Sequence, residues 1–177
     1  RKANDPKGEL YSLKKLASLY KESGQPKKAF EMYKLAQELL ERINDKNELA
    51  ELTKEVGENY KEIKDFDNAL ANFKKALAIY QELESNVEVA DLYTKIGDAF
   101  YERMQGKESI EYYKKALELQ NTMGEKFNKI FTLTSIGLAS HFFLFDFAQA
   151  EKYFKEALAL SQETKSSYGE SYAFRLL

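Results

Sequence analysis

The chain has 177 residues with 27 Lys and Arg against 29 Asp and Glu, a net charge of -2, which argues against a dedicated nucleic-acid binder. It has no cysteine and one histidine, which excludes a disulfide framework, a thiolate metal site, a cysteine nucleophile, a His-rich metal centre and a His pair. With 44% hydrophobic and 32% charged residues, 8 Gly and 2 Pro, the composition is that of a strongly helical chain.

In chain order, the N-terminus from Arg1 to Pro6 is polar and carries no leader-like pattern. The first amphipathic stretch contains Ala17 and Tyr20, and the break Gly24-Gln25-Pro26 separates it from a second stretch with Ala29, Tyr33 and Ala36. After Asn44-Asp45 the order repeats. A stretch from Leu49 to Ile63 holds Gly57 and Tyr60, and Lys64-Asp65 is the break. A stretch from Phe66 to Leu83 then holds Ala69, Phe73 and Ala76. Beyond Ser85-Asn86 come Gly97 and Phe100, the break Gln105-Gly106, then Ser109, Tyr113 and Ala116. Beyond Met123-Gly124 come Gly137, the break at Asp146, then Ala150, Phe154 and Ala157, and the pattern ends near Lys165-Ser166. Apolar residues fall at helical spacing throughout, and Asp and Asn at the breaks suit turns and helix N-caps. No apolar run reaches the roughly 18 to 20 residues that span a bilayer.

The period is 40 residues. Ala17, Gly57, Gly97 and Gly137 keep that step, whereas Ala116 and Ala157 are 41 apart, so one residue is inserted between Gly137 and Ala150. Glycine inside a helix costs about 1 kcal/mol relative to alanine, so its recurrence predicts close approach of the second helix to the first helix's backbone. The first Ala of the second helix (Ala29, Ala69, Ala150) is small for the same reason, and the aromatic four residues on fills the gap beyond. The second Ala (Ala36, Ala76, Ala116, Ala157) admits the next unit. One such hairpin leaves an apolar face bare, so the units must stack.

Small, aromatic three on, then Ala, aromatic four on, Ala three on: this pattern resembles the tetratricopeptide repeat. The expected fold class is all-α, a superhelical solenoid of four helical hairpins, with repeats at about 10–45, 47–85, 87–124 and 127–165 and a capping helix or partial fifth repeat over 166–177. The common form has 34 residues, a Trp and a terminal Pro. This chain has a longer period and no Trp, and so is similar to the long-repeat branch: Rap-type peptide receptors, kinesin light chains and Pins-type modulators. The resemblance implies a concave groove lined by the first helices and binding of a protein or peptide, with no cofactor, nucleic acid or membrane and no catalysis. An interaction scaffold is the first expectation, and a peptide-sensing regulatory domain of a larger signalling protein is the alternative. A cytoplasmic address fits either.

Groove positions that the resemblance turns inward are Lys14 and Ser18, Lys54 and Glu58, Lys95, Asp98 and Tyr101, then Phe131, Leu138 and Phe142. The groove would begin basic, become acidic and end apolar. Chaperone-type members grip a carboxylate with basic and amide residues. Here Lys14 and Lys95 fall at two of those places, but Ser18, Glu55 and Asp91 hold the others, and two carboxylates there would repel such a ligand. Lys27-Lys28, Lys74-Lys75 and Lys114-Lys115 recur at one phase, either as a basic ridge or as solubilising charge beside the packing stripe. His141, with no assignable acid–base partner, reads as a packing or groove residue rather than a pH switch. The Phe-rich fourth copy (Phe127, Phe131, Leu138, Phe142, Phe143, Leu144, Phe145, Phe147) carries more apolar surface than one helix face buries. It is either a recognition pocket or a surface covered by more protein, a further repeat or a second copy of the chain, and the second is favoured.

Overall fold

The computed structural model describes residues 5–165. The segment 166–177, expected as a capping helix or partial fifth repeat, lies outside the described residues. Eight helices occur among the described residues: α1 (Pro6–Glu22), α2 (Pro26–Ile43), α3 (Lys46–Glu62), α4 (Phe66–Glu82), α5 (Asn86–Glu102), α6 (Gly106–Met123), α7 (Phe127–Ala139) and α8 (Phe147–Thr164). A π-helical turn, Ser140–Leu144, extends α7. The helices pair as four antiparallel hairpins, and the first begins at Pro6 rather than near residue 10. The chain divides between Leu83 and Glu84 into two compact units of two hairpins each.

The ends of the helices follow from local chemistry. Asp5, Asp45, Asp65 and Asp146 accept hydrogen bonds from the backbone N–H three residues on, at 3.1, 3.1, 3.2 and 2.9 Å. Each satisfies a donor that the first helical turn leaves orphaned. At the other end the chain reverses through a left-handed residue: Gly24, Lys64, Met104 and Phe145 after the first helix of each hairpin, and Asn44, Glu84, Gly124 and Lys165 after the second. Around Lys64, the Lys64 N–H reaches the Lys61 carbonyl at 2.9 Å and the Asp65 N–H reaches that of Tyr60 at 2.9 Å, the paired bonds of a Schellman turn. The same pair closes the α1–α2 and α5–α6 turns. Six of these eight left-handed residues are not glycine, so local geometry tolerates a conformation that costs L-residues roughly 1–2 kcal/mol.

Inside the second, third and fourth hairpins the glycine of the first helix sits under a ring. A Cβ added at Gly57 would lie 2.6 Å from the Phe73 ring, and one at Gly97 would lie 2.6 Å from the Tyr113 ring. At Gly137 the obstruction is Phe154. The close approach therefore differs from the sequence expectation. The aromatic of the second helix lies directly over the glycine, rather than filling a gap beyond a backbone contact, although at Gly57 the Ala69 carbonyl oxygen is also 3.3 Å away. Ala17, Ala29, Ala36, Ala69, Ala76, Ala116, Ala150 and Ala157 are all buried. In unit one, Ala17, Ala29, Tyr33, Ala36, Leu40, Leu49, Leu52 and Val56 form one cluster across α1, α2 and α3. There the Tyr60 ring stacks on that of Phe30 at 3.8 Å, which covers α2 with the following helix.

The fourth hairpin departs from this scheme at the place where the sequence carries its extra residue. The first helices of the other hairpins end on the carbonyls of Tyr20, Tyr60 and Phe100, five residues before the acceptor's N–H donor. In the fourth, the Asp146 N–H reaches the Ser140 carbonyl at 3.1 Å, six residues back. The inserted residue is absorbed as the π-helical turn. Ser140 stands where the others have an aromatic, its Oγ 2.8 Å from both the Ile136 carbonyl oxygen and the Gln149 side-chain amide. The displaced aromatic is Phe143. Its ring meets Tyr101 edge-on at 5.0 Å and joins the cluster of Ile110, Tyr113, Ile136 and Ala139. Gly106 lies directly against Phe143, so that no Cβ fits there.

Candidate functional site

Two clefts lie along the first-helix faces, one in each unit. In unit one a cleft of about 550 Å³ is lined by Lys7, Leu10, Tyr11, Lys14, Lys15 and Ser18 of α1, with Asp45, Glu48 and Glu55 opposite. Several of its polar groups are engaged with neighbours. Lys14 Nζ is 2.8 Å from Glu48 Oε1, Lys15 lies 5.5 Å over the Tyr11 ring, and Ser18 donates to Glu22 at 3.0 Å. The Tyr33 hydroxyl, rising from α2, donates to Glu55 at 3.2 Å.

That phenol carries a testable consequence. Burial, reinforced by the Glu55 charge, pushes the Tyr33 pKa from 10.0 up to about 12. Because the folded value lies above the unfolded one, Tyr33 contributes stability that is intact below pH 10 and lost as pH rises towards 12. Stability measured by denaturant titration should fall over that interval, and Tyr33→Phe should flatten the fall. An unchanged alkaline profile in the variant would remove Tyr33 as its cause.

In unit two a cleft of about 220 Å³ lies between α5 and α7 with α6 beneath. Its lining from α5 includes Asp91, Thr94, Lys95 and Asp98, and from α7 Asn128 and Phe131. Asp98 accepts from the Tyr113 hydroxyl at 2.7 Å. Burial and the Asp98 charge push that phenol's pKa far up, so Tyr113 stays a protonated donor. Lys95 Nζ lies 3.8 Å from Asp91. Thr94 spends its hydroxyl hydrogen on the Ala90 carbonyl at 3.1 Å, and Glu125 accepts from the Asn128 backbone N–H at 2.9 Å.

Of the residues expected at a groove, Lys14 and Ser18 therefore share one cleft, and Lys95, Asp98 and Phe131 share the other. The remainder line neither. Lys54 is mostly buried and pairs with Glu51 at 2.9 Å. Burial disfavours charge on Glu51, but Lys54 and the Tyr80 hydroxyl at 2.9 Å hold its pKa below the usual carboxylate value. Glu58 is half-buried on α3. Tyr101 packs on Phe143, Leu138 is half-buried, and Phe142 is exposed with its ring 4.8 Å from that of His141. His141 also meets Phe147 at 5.2 Å, as a ring-packing residue. Of the Phe-rich set, Phe127, Phe131, Phe142, Leu144, Phe145 and Phe147 are exposed. The lysine pairs of the second helices are partly neutralised: Lys75 meets Glu41 at 2.9 Å, and Lys115 meets Glu111 at 3.0 Å and the Tyr112 ring at 4.6 Å.

Sequence reasoning missed Gln120, Met123, Glu125 and Asn128, because it projected the groove from mid-helix positions of the first helices alone. Gln120 sits on a second helix at the 40-step position of Leu40 and Tyr80, where the period marks a core position rather than a groove one. Among the described residues no group of three His, Asp or Glu could hold a metal ion, and no helix is long and apolar enough to cross a membrane.

Hairpins of this design, with ring-over-glycine contacts at a fixed interval, define a helical repeat protein. The tetratricopeptide repeat model matches residues 8–82 and 88–163, and the chain belongs to that family. The two matched stretches correspond to the two compact units. No curated protein matches the sequence. Among solved structures, the apo form of RapI is similar with a TM-score of 0.86 at 20% identity, over 95% of this chain and 47% of that one. BtubC (BKLC) from P. vanneervenii has a TM-score of 0.80 at 21% identity, over 94% and 68%. A Rap protein complexed with competence and sporulation factor has a TM-score of 0.71 at 24% identity, over 97% and 48%. The chain thus spans about half the length of the two Rap proteins, and at these identities the likeness establishes the fold.

Proposed function

We propose that the chain is a non-catalytic protein-interaction module that takes up a partner peptide or helix along the faces of its first helices. The observation that carries this reading is the pair of clefts on those faces, each built from side chains of two successive hairpins and combining exposed rings with charge. Stacked hairpins present such a surface already ordered, so little conformational entropy is lost on binding. The same fold in a Rap protein complexed with competence and sporulation factor supports the sensing alternative, in which the peptide would bias a larger protein between two states.

The test is photo-crosslinking with peptides selected on the whole chain from a random display library. A benzophenone side chain placed at Ser18 or Phe131 should capture them, and one placed at Lys74 on a second helix should not. Capture from Lys74 alone would overturn the reading.

A further inference from the structure

We propose that the unit-two cleft is a subsite for one basic side chain, lysine or arginine, of the bound peptide. This rests on the interaction-module reading and adds the chemistry of the residue recognised there.

The cleft is a surface of acceptors. Asp91, Asp98 and Glu125 bring three carboxylates to it, against the single ammonium of Lys95. The contacts of these carboxylates include Lys95 for Asp91, Tyr113 for Asp98 and the Asn128 N–H for Glu125, and a carboxylate can accept about four hydrogen bonds in all. The independent observation is Gln120. It lines the cleft from α6, it is 2% exposed, and its Oε1 has no hydrogen-bond partner. A buried acceptor left unmatched is unusual in a folded protein, and here it borders an acidic cleft.

Ammonium and guanidinium groups carry only donors. They match such a lining without bringing a carbonyl that would need a donor in turn. The donors at hand are few, since Thr94 has spent its hydrogen on its own helix. An aliphatic stem would lie along Val87, Ala90 and Met123, with the charge beside the Phe131 ring, which is 44% exposed and attracts cations through its face. The volume, about 220 Å³, is below that of a pocket for a drug-sized ligand and suits one side chain.

The experiment pans a random peptide library on the whole chain. It measures the selected peptides against the parent and against Gln120→Leu and Asp91→Asn, with thermal unfolding of each variant as a fold control. The expected result is a basic residue at one fixed position. Its replacement by norleucine, and each variant, should weaken binding about tenfold. Peptides that crosslink from Phe131 but carry no basic residue, or that tolerate norleucine, would overturn this subsite and leave the module reading standing. Absence of any peptide on the first-helix faces would overturn both. Should either variant unfold, acetyl-arginine amide titrated into the parent must shift the backbone amides of Ala90, Asp98 and Asn128 while acetyl-citrulline amide does not. Equal shifts from the two probes would also overturn it.

Discussion

Gly97→Leu is expected to destabilise the protein by about 3 kcal/mol, at the upper end of what overpacking a filled interior costs. For a chain of this size that corresponds to a fall in Tm of roughly 6–12 °C. A Cβ at this position would already lie 2.6 Å from the Cδ1 and Cε1 atoms of Tyr113, and a branched side chain adds three more carbons in the same direction. The ring has no easy retreat, because Tyr113 is buried and its hydroxyl is tied to Asp98 at 2.7 Å. The better helix propensity of leucine returns less than about 1 kcal/mol. Tyr113→Ala alone should also cost several kcal/mol through the cavity it leaves, about 3–5 on the usual scale. The double variant should lose much less than the two together, because leucine then occupies the vacated space. Urea unfolding of the four proteins measures this coupling. Strict additivity would show that glycine and ring do not share the space the structure assigns them.

Gly106→Ala should destabilise by about 2 kcal/mol. At an ordinary helical position this substitution stabilises by roughly 0.4–1 kcal/mol, because it narrows the unfolded ensemble. Gly106 begins α6 and carries no positive φ, so nothing in its backbone demands glycine. The obstacle is Phe143, whose Cβ and the adjoining edge of its ring occupy the place where the Cβ would go. In a Phe143→Gly background, which removes the Cβ as well as the ring, the sign should therefore reverse, and the same change should become stabilising. Thermal unfolding of the four combinations decides it. A stabilising Gly106→Ala in the parent would mean that Phe143 does not rest there.

Much of the fold was legible because it is written in small residues at a constant interval. Alanine and glycine at 17, 57, 97 and 137 have few reasons to recur inside helices other than contact, and the Asp residues at the breaks do cap helices. The interval also located the anomaly of the fourth copy between Gly137 and Ala150. Its form was not legible. An extra residue can be absorbed in a turn or within a helix, and the choice of a π-helical turn depends on Phe143 finding Gly106 and Tyr101, which lie far away in sequence. The clefts were half legible for a related reason. Residues of one helix, such as Asp91, Lys95 and Asp98, share a face by spacing alone. Gln120 enters from another helix, and only packing brings it there. The left-handed turns at Lys64, Glu84, Met104, Phe145 and Lys165 escaped notice because none is glycine.

The widened turn at Ser140–Leu144 also acts as a dislocation in the register of the chain. One additional residue rotates everything that follows it on that helix by about 100° relative to its counterparts. Past it the counterparts lie 41 residues apart: Phe145, the left-handed residue that ends this helix, corresponds to Met104 rather than to Gln105. A mutational scan across this region has to be mapped in two phases, one up to Ser140 and another from Asp146 onward. Grafting the fourth hairpin into a regular array would need both the extra residue and a glycine at the start of the preceding second helix to make room for the swung ring.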